Sequence, residues 1–450
     1  MSVPSHLFRD VFCTQDMKQA FADDAYVRRL VDVEAALARA QSKLGVIPAT
    51  VGQEMTEAFA NAQIDHEKLS QDMYLVGYPV LPLIQQLHNQ TSGHAAGYIH
   101  WGATTQDIMD SASVLQIKDG LGIIKSQLVE LVSILRKLID KHRDTVMAGR
   151  THLQHALPCT FGYKCAVYLA GMVRHLERLE QLEPRCLHVQ FGGAAGTLAS
   201  LGSDDLGVRV RAALAEELGL RQPPITWHST RDSIAEVLNF LALVGGSLGK
   251  IAYDVMIMSS NEMGEVAEPF VPHRGASSTM PQKRNPISSE IVFAAAKLLR
   301  SSASLGLDAM MVDFERASGP WHLEWLAVPE AFLVASGSLH HAIFALNGLS
   351  VNTGAMERNL LSTKGLIVGE AAMMALASCI GRQAAHDVVY DACRESIESG
   401  KTLYQCLSSR AQVTDNIDAK RLEAICDPRN YLGASQIMAD AVLRSSERYR

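Results

Sequence analysis

The chain of 450 residues is predicted to be all-α: a central bundle of long helices flanked by two smaller helical domains. Apolar residues recur at helical spacing over long stretches, and few segments alternate with the period of a strand. The composition, 48% hydrophobic and 20% charged, is that of an ordinary globular protein with ample material for a large core.

Ile124, Leu128, Leu131, Leu135 and Leu138 draw one apolar stripe, with Lys125, Glu130, Arg136 and Lys137 off it. A second helix is expected from about Phe161 to Leu182, stopped by Pro184. A third begins near Asp232 as N-cap and continues through Val237, Leu241, Val244, Leu248 and Ile251. Gly245, Gly246 and Gly249 fall inside it and weaken a lone helix, so a closely approaching neighbour is expected there. A fourth helix follows Asn285 as cap and Pro286 in the first turn. A fifth spans Trp325 to Leu346, entered or bent at Pro329. These elements suggest a helical domain over 1–112, the bundle over 113–348, and a C-terminal helical domain over 349–450 with amphipathic segments at Ala371–Leu376 and Ala384–Ile397.

The formal net charge of −7 argues against a general nucleic-acid binder, and no uninterrupted apolar run has the length of a convincing membrane span. Eight cysteines from Cys13 to Cys426 form no C-x-x-C pair. With a polar start and no signal-peptide pattern, reduced thiols in a cytoplasmic protein are expected.

The richest chemistry lies in Gly275-Ala276-Ser277-Ser278-Thr279-Met280-Pro281-Gln282-Lys283-Arg284-Asn285-Pro286. Gly275 permits unusual backbone angles, turn amides can form an anion-binding nest, Lys283 adds positive charge, and Asn285 can bind a carboxylate. A proton leaving a carbon next to a carboxylate loads that carboxylate with charge, which such a loop would stabilise. A second segment, Gly149–Ala156, sits before a helix and offers Thr151 and Gln154 to a carboxylate and His152 for proton exchange. A third, His100–Asp107, offers Thr104 and Thr105, with Asp107 able to cap a helix or hold a histidine in one tautomer. Arg231 and Arg316, the latter close to Ser318, suit bidentate carboxylate binding or interhelical ion pairing. The glycine-rich Gly192–Thr197 lacks the spacing of a dinucleotide fingerprint.

In order and content, these segments resemble the conserved regions of the fumarase/aspartase superfamily over essentially the whole chain. Leu7-Phe8, Val31–Ala40, Gln190-Phe191-Gly192-Gly193, Trp227-His228 and Trp321–Trp325 are similar to the 3-carboxy-cis,cis-muconate cycloisomerase branch, as is Asp427-Pro428 with Tyr431–Gly433. Adenylosuccinate lyase is the rival branch; its N-terminal Arg-Tyr pair has no counterpart in the first 25 residues here. His152 stands where bacterial cycloisomerases tend to carry tryptophan and the lyases a histidine near the leaving group.

The resemblance implies a homotetramer with active sites shared between subunits, a small polycarboxylate substrate, and neither cofactor nor metal. It implies Ser277 as general base, assisted by Lys283, with His152 or His100 as the acid. Thr104, Thr105, Thr151, Gln154, Arg231, Ser278, Asn285, Arg316 and Ser318 would bind substrate. The reaction implied is lactonisation within one molecule, or C–N cleavage releasing fumarate from an N-substituted aspartate. A non-catalytic relative is the remote third reading.

Overall fold

The computed structural model describes residues 6–280, 282–316 and 319–449. Among the described residues helices dominate, with two small two-stranded antiparallel sheets, Val146–Thr151 with Gln154–Thr160 and Val266–Ala267 with Ser350–Val351. The longest helices are Thr105–Lys141, Phe161–Cys186, Asp232–Met258, Ile287–Asp308 and Trp321–Asn347. The chain divides into two compact units, the first comprising residues up to Leu128, His175–Leu248 and Ala294–His340, and the second Val129–Arg174, Gly249–Phe293 and His341 onward.

In the first unit, helix Asp23–Lys43 is the buried axis. Asp23 and Asp24 in its first turn and Lys43 in its last complement the helix dipole. It packs against helices Val51–Ala60 and Leu206–Leu218. The expected close approach at the glycines occurs at Gly245, where an added Cβ would lie 2.4 Å from Leu299 on helix Ile287–Asp308. At Gly246 nothing lies within 4 Å.

In the second unit, helices Gly369–Ile380, Arg382–Ser399, Leu403–Ser408 and Ala419–Cys426 enclose a core that includes Leu376, Val389, Leu403 and Leu422. The hairpin Val146–Thr160 rests on helix Thr353–Leu361.

Three expectations change. Helix Phe161–Cys186 runs past Pro184, because proline keeps a helical φ and near a helix end costs only one backbone bond. The fifth helix starts at Trp321, which leaves Pro329 inside it rather than at its entrance. Helix Asp232–Met258 does have the length and hydropathy of a membrane span, with half of the apolar window buried, as a core helix would also be.

Candidate active site

The loop that begins at Gly275 is closed at its neck by an isolated antiparallel bridge between Ala276 and Arg284, and by Asn285 N–H donating to Gly275 O at 3.2 Å. Gly275 sits at φ 69°, and a Cβ there would lie 2.6 Å from Asn285 O, so both the backbone angle and the space demand glycine. Within the loop, Ser277 Oγ accepts from the N–H groups of Thr279 at 3.3 Å and Met280 at 3.1 Å. Ser278 and Lys283 are exposed, and Asn285 is half-buried.

The following helix, Ile287–Asp308, is capped by Glu268 rather than by Asn285. The Glu268 carboxylate accepts from Ser288 N–H at 3.2 Å, Ser289 N–H at 2.7 Å and the Ser289 hydroxyl at 2.7 Å. A buried carboxylate satisfies the open amides more strongly than a neutral amide side chain would. A cavity of ≈ 650 Å³ adjoins the loop, lined by Arg274, Lys283, Arg284, Asn285, Ser259 and Asn261, and by Glu268 as an acidic residue against the three cations, among others. Its cations suit an anionic ligand.

The segment expected just before a helix does precede helix Phe161–Cys186, and it is itself the turn of a hairpin. Thr151 pairs with Gln154, leaving His152 and Leu153 as a two-residue turn at φ 52° and 61°. Positive φ at both central positions matches the twist of a hairpin, and each non-glycine residue there costs roughly 1–2 kcal/mol. Thr151, His152 and Gln154 are exposed at this tip. Arg150 anchors the hairpin with two bonds to Glu265, at 2.9 and 2.6 Å, and Asn359 donates to the same carboxylate at 2.8 Å.

In the first unit, His100 Nδ1 lies 2.6 Å from Glu34 Oε1. Burial opposes a charge on His100, but the attraction and hydrogen bond of Glu34, with a further pull from Asp107, outweigh it and raise its pKa above the ordinary value. Asp107 is wholly buried and caps helix Thr105–Lys141 by accepting from Thr104 N–H at 3.0 Å. It also accepts from the amides of Gly192 and Gly193, both at 2.9 Å, and meets His228 Nε2 at 2.6 Å. The histidine it holds is therefore His228. Arg316 donates to the Thr104 hydroxyl and, at 3.3 Å, to Ala194 O, which brings two of the expected substrate-binding residues together. Thr105 opens the helix and is half-buried. Ser318 lies outside the described residues.

Arg231 does not face an open site. It is 2% exposed, bonds Asp110 at 2.8 and 2.9 Å and Glu324 at 2.8 and 2.5 Å, and stacks over the Trp227 ring at 4.8 Å. Of its two expected uses, ion pairing between helices is the one the fold makes. Sequence reasoning also missed Glu34, Glu265 and Glu268. Only Glu34 left a readable signal: with Gln41 it occupies the apolar stripe of its helix, where a charge needs a partner.

Residues 9–298 match the family model described as lyase, and 365–442 the one described as adenylosuccinate lyase C-terminus. The chain is 42% identical over 445 residues to the 3-carboxy-cis,cis-muconate cycloisomerase of Pseudomonas aeruginosa, covering 98% of this chain and 96% of that one. It is 44% identical over 434 residues to trans-aconitate decarboxylase 1 of Mycosarcoma maydis, covering 96% and 88%. The crystal structure of a fumarate lyase from Mesorhizobium sp. BNC1 superposes with a TM-score of 0.91 at 50% identity, over 96% of this chain and 98% of that one.

Proposed function

The chain belongs to the lyase family of the fumarase/aspartase superfamily, and from that premise we propose an enzyme like 3-carboxy-cis,cis-muconate cycloisomerase, working beside a substrate carboxylate with Ser277 as base. The observation that carries the reading is the pair of backbone amides donating to Ser277 Oγ inside a cationic loop. A free serine hydroxyl is far too weak an acid for this task. Amides already aimed at the oxygen stabilise its alkoxide without reorganisation, and Lys283 adds charge to the same loop.

In this reading, Ser277 exchanges the proton on the carbon next to a carboxylate. Lys283, Asn285 and Ser278 stabilise the charge that builds on that carboxylate. In C–N cleavage His152 or His100 protonates the leaving group, and in lactonisation it restores the proton that Ser277 gives to carbon. Thr104, Thr105, Thr151, Gln154 and Arg316 hold the remaining carboxylates, with Ser318 as a further candidate. For lactonisation, a substrate carboxylate adds across a double bond and nothing is released.

A C–N lyase is the second reading, favoured by His152 at an exposed, strained hairpin tip where it can meet a leaving amine. Incubation with 3-carboxy-cis,cis-muconate and with N-substituted aspartates, followed by ultraviolet absorbance, separates the two. Loss of muconate absorbance without fragmentation supports the cycloisomerase, and appearance of fumarate the lyase. Ser277→Ala should lower kcat by at least about a thousandfold while the protein stays folded. Near-normal turnover in that variant removes serine from the mechanism.

We further propose that the chain assembles as a homotetramer. Leu298, Leu305, Leu307 and Leu326 are apolar yet 37–57% exposed on helices Ile287–Asp308 and Trp321–Asn347. A second copy would bury them. Light scattering on the purified protein tests the assembly, and a monomer at working concentration would exclude it.

A further inference from the structure

Helix Asp23–Lys43 meets the His100 turn with two polar side chains set into an apolar stripe. Leu30, Glu34, Leu37 and Gln41 share one helix face, and none is more than 2% exposed. A carboxylate there costs several kcal/mol unless it is paired. Glu34 takes His100 Nδ1 at 2.6 Å, and Gln41 Nε2 donates to Trp101 O at 2.7 Å. Two residues about two turns apart on one stripe thus clamp two consecutive residues of a turn in which His100 is held at φ 63°. The Glu34 side chain is 1% exposed and that of His100 19%, so the carboxylate is sealed while the imidazole keeps an open edge.

We propose that Glu34 is a positioning residue for proton transfer by His100. An ionised carboxylate only accepts, so it fixes the neutral ring as the Nδ1–H tautomer and leaves Nε2 for the reacting molecule. The protonated ring is then an acid at Nε2. It gives that proton to the leaving group in C–N cleavage, or replaces the one Ser277 gives to carbon in lactonisation, remains as the neutral Nδ1–H form, and regains a proton from solvent. The charged groups acting on the ring are Glu34 from its helix and Asp107 from helix Thr105–Lys141, the latter already engaged with His228 and three amides. The inference rests on the addition–elimination reading above.

The test compares Glu34→Gln, Glu34→Asp and Gln41→Ala in the full-length protein. Histidine-ring NMR, assigned with His100→Asn, reads the ring directly. The pH profile of kcat/KM with 3-carboxy-cis,cis-muconate reads its use. In Glu34→Gln the His100 titration and the alkaline limb should both move down by roughly one pH unit, because the charge that favours the imidazolium is gone. Glu34→Asp should recover much of that shift. Gln41→Ala should lower the rate and leave the limb in place, since it removes a clamp and no charge. A His100 titration unchanged in Glu34→Gln overturns the proposal. So does a titration that moves while the limb does not. Should Glu34→Gln not fold, Glu34→Asp carries the test, with a smaller downward shift expected and none overturning it. If Ser277→Ala is inactive while Glu34→Gln behaves as wild type, only this proposal fails. If Ser277→Ala and His100→Asn both keep wild-type turnover, the functional reading fails and takes this one with it.

Discussion

Arg231 shares its donors between Asp110 and Glu324, and Trp321 Nε1 adds a bond to Asp110 at 3.2 Å. Deleting the guanidinium would leave two buried carboxylates without a counter-charge. Arg231→Ala is therefore expected to lower stability by about 3–5 kcal/mol, measured by denaturant unfolding. A variant that unfolds normally but shows a raised KM would return Arg231 to the substrate. At His100 the sign runs with pH. Its folded-state pKa lies above the unfolded value of about 6.5, so its pairing with Glu34 stabilises fully below that pH and the increment is lost as pH rises through the folded value. The serine loop was legible from residues because glycine, proline and polar groups fall within twelve consecutive positions. The carboxylate partners were not, beyond the sign that Glu34, set in an apolar stripe, needed one. Glu34 lies 66 residues from His100 and Glu265 lies 115 from Arg150, and no local pattern ties partners at such distances.

At the scale of elements, long helices were readable from their periodicity, while the hairpin Val146–Thr160 was not. It has no Asn-Gly or Asp-Gly at its turn, and His152 and Leu153 adopt the required angles without glycine. What compensates that strain is the anchor behind it. The short segment from Glu265 to Glu268 bonds Arg150 of the hairpin at one end and caps the helix after the serine loop at the other. Two candidate catalytic segments thus depend on acidic residues three positions apart. Glu265→Ala leaves Arg150, only 13% exposed, without its buried partner. A loss of about 3–5 kcal/mol is expected. Hydrogen exchange should show faster exchange over residues 146–160 first, with the helix after the loop still protected by Glu268. Uniform loss of protection across the second unit would instead mean that the anchor serves the whole unit and not the hairpin.

For the molecule as a whole, the candidates fall in both units: His100, Thr104, Thr105 and Arg316 in the first, and Thr151, His152, Gln154, Ser277, Ser278, Lys283 and Asn285 in the second. In the proposed tetramer such segments would meet from different chains in one site, and the exposed leucines of the long helices would be the surface on which the chains assemble. Shared sites carry a consequence that isolated chains cannot mimic. Ser277→Ala and His100→Asn should each be inactive as pure oligomers, because every site lacks one group. When the two are unfolded together and refolded as mixed oligomers, some sites draw the serine segment from a histidine-variant chain and the histidine segment from a serine-variant chain. Those sites hold an unaltered serine and an unaltered histidine, so activity should return to a sizeable fraction of wild type. Mixing without unfolding should restore nothing until subunits exchange. Mixed oligomers verified by mass that stay inactive would show that serine and histidine of a given site come from the same chain, and the proposed sharing of sites would be wrong even if the chemistry assigned to Ser277 were right.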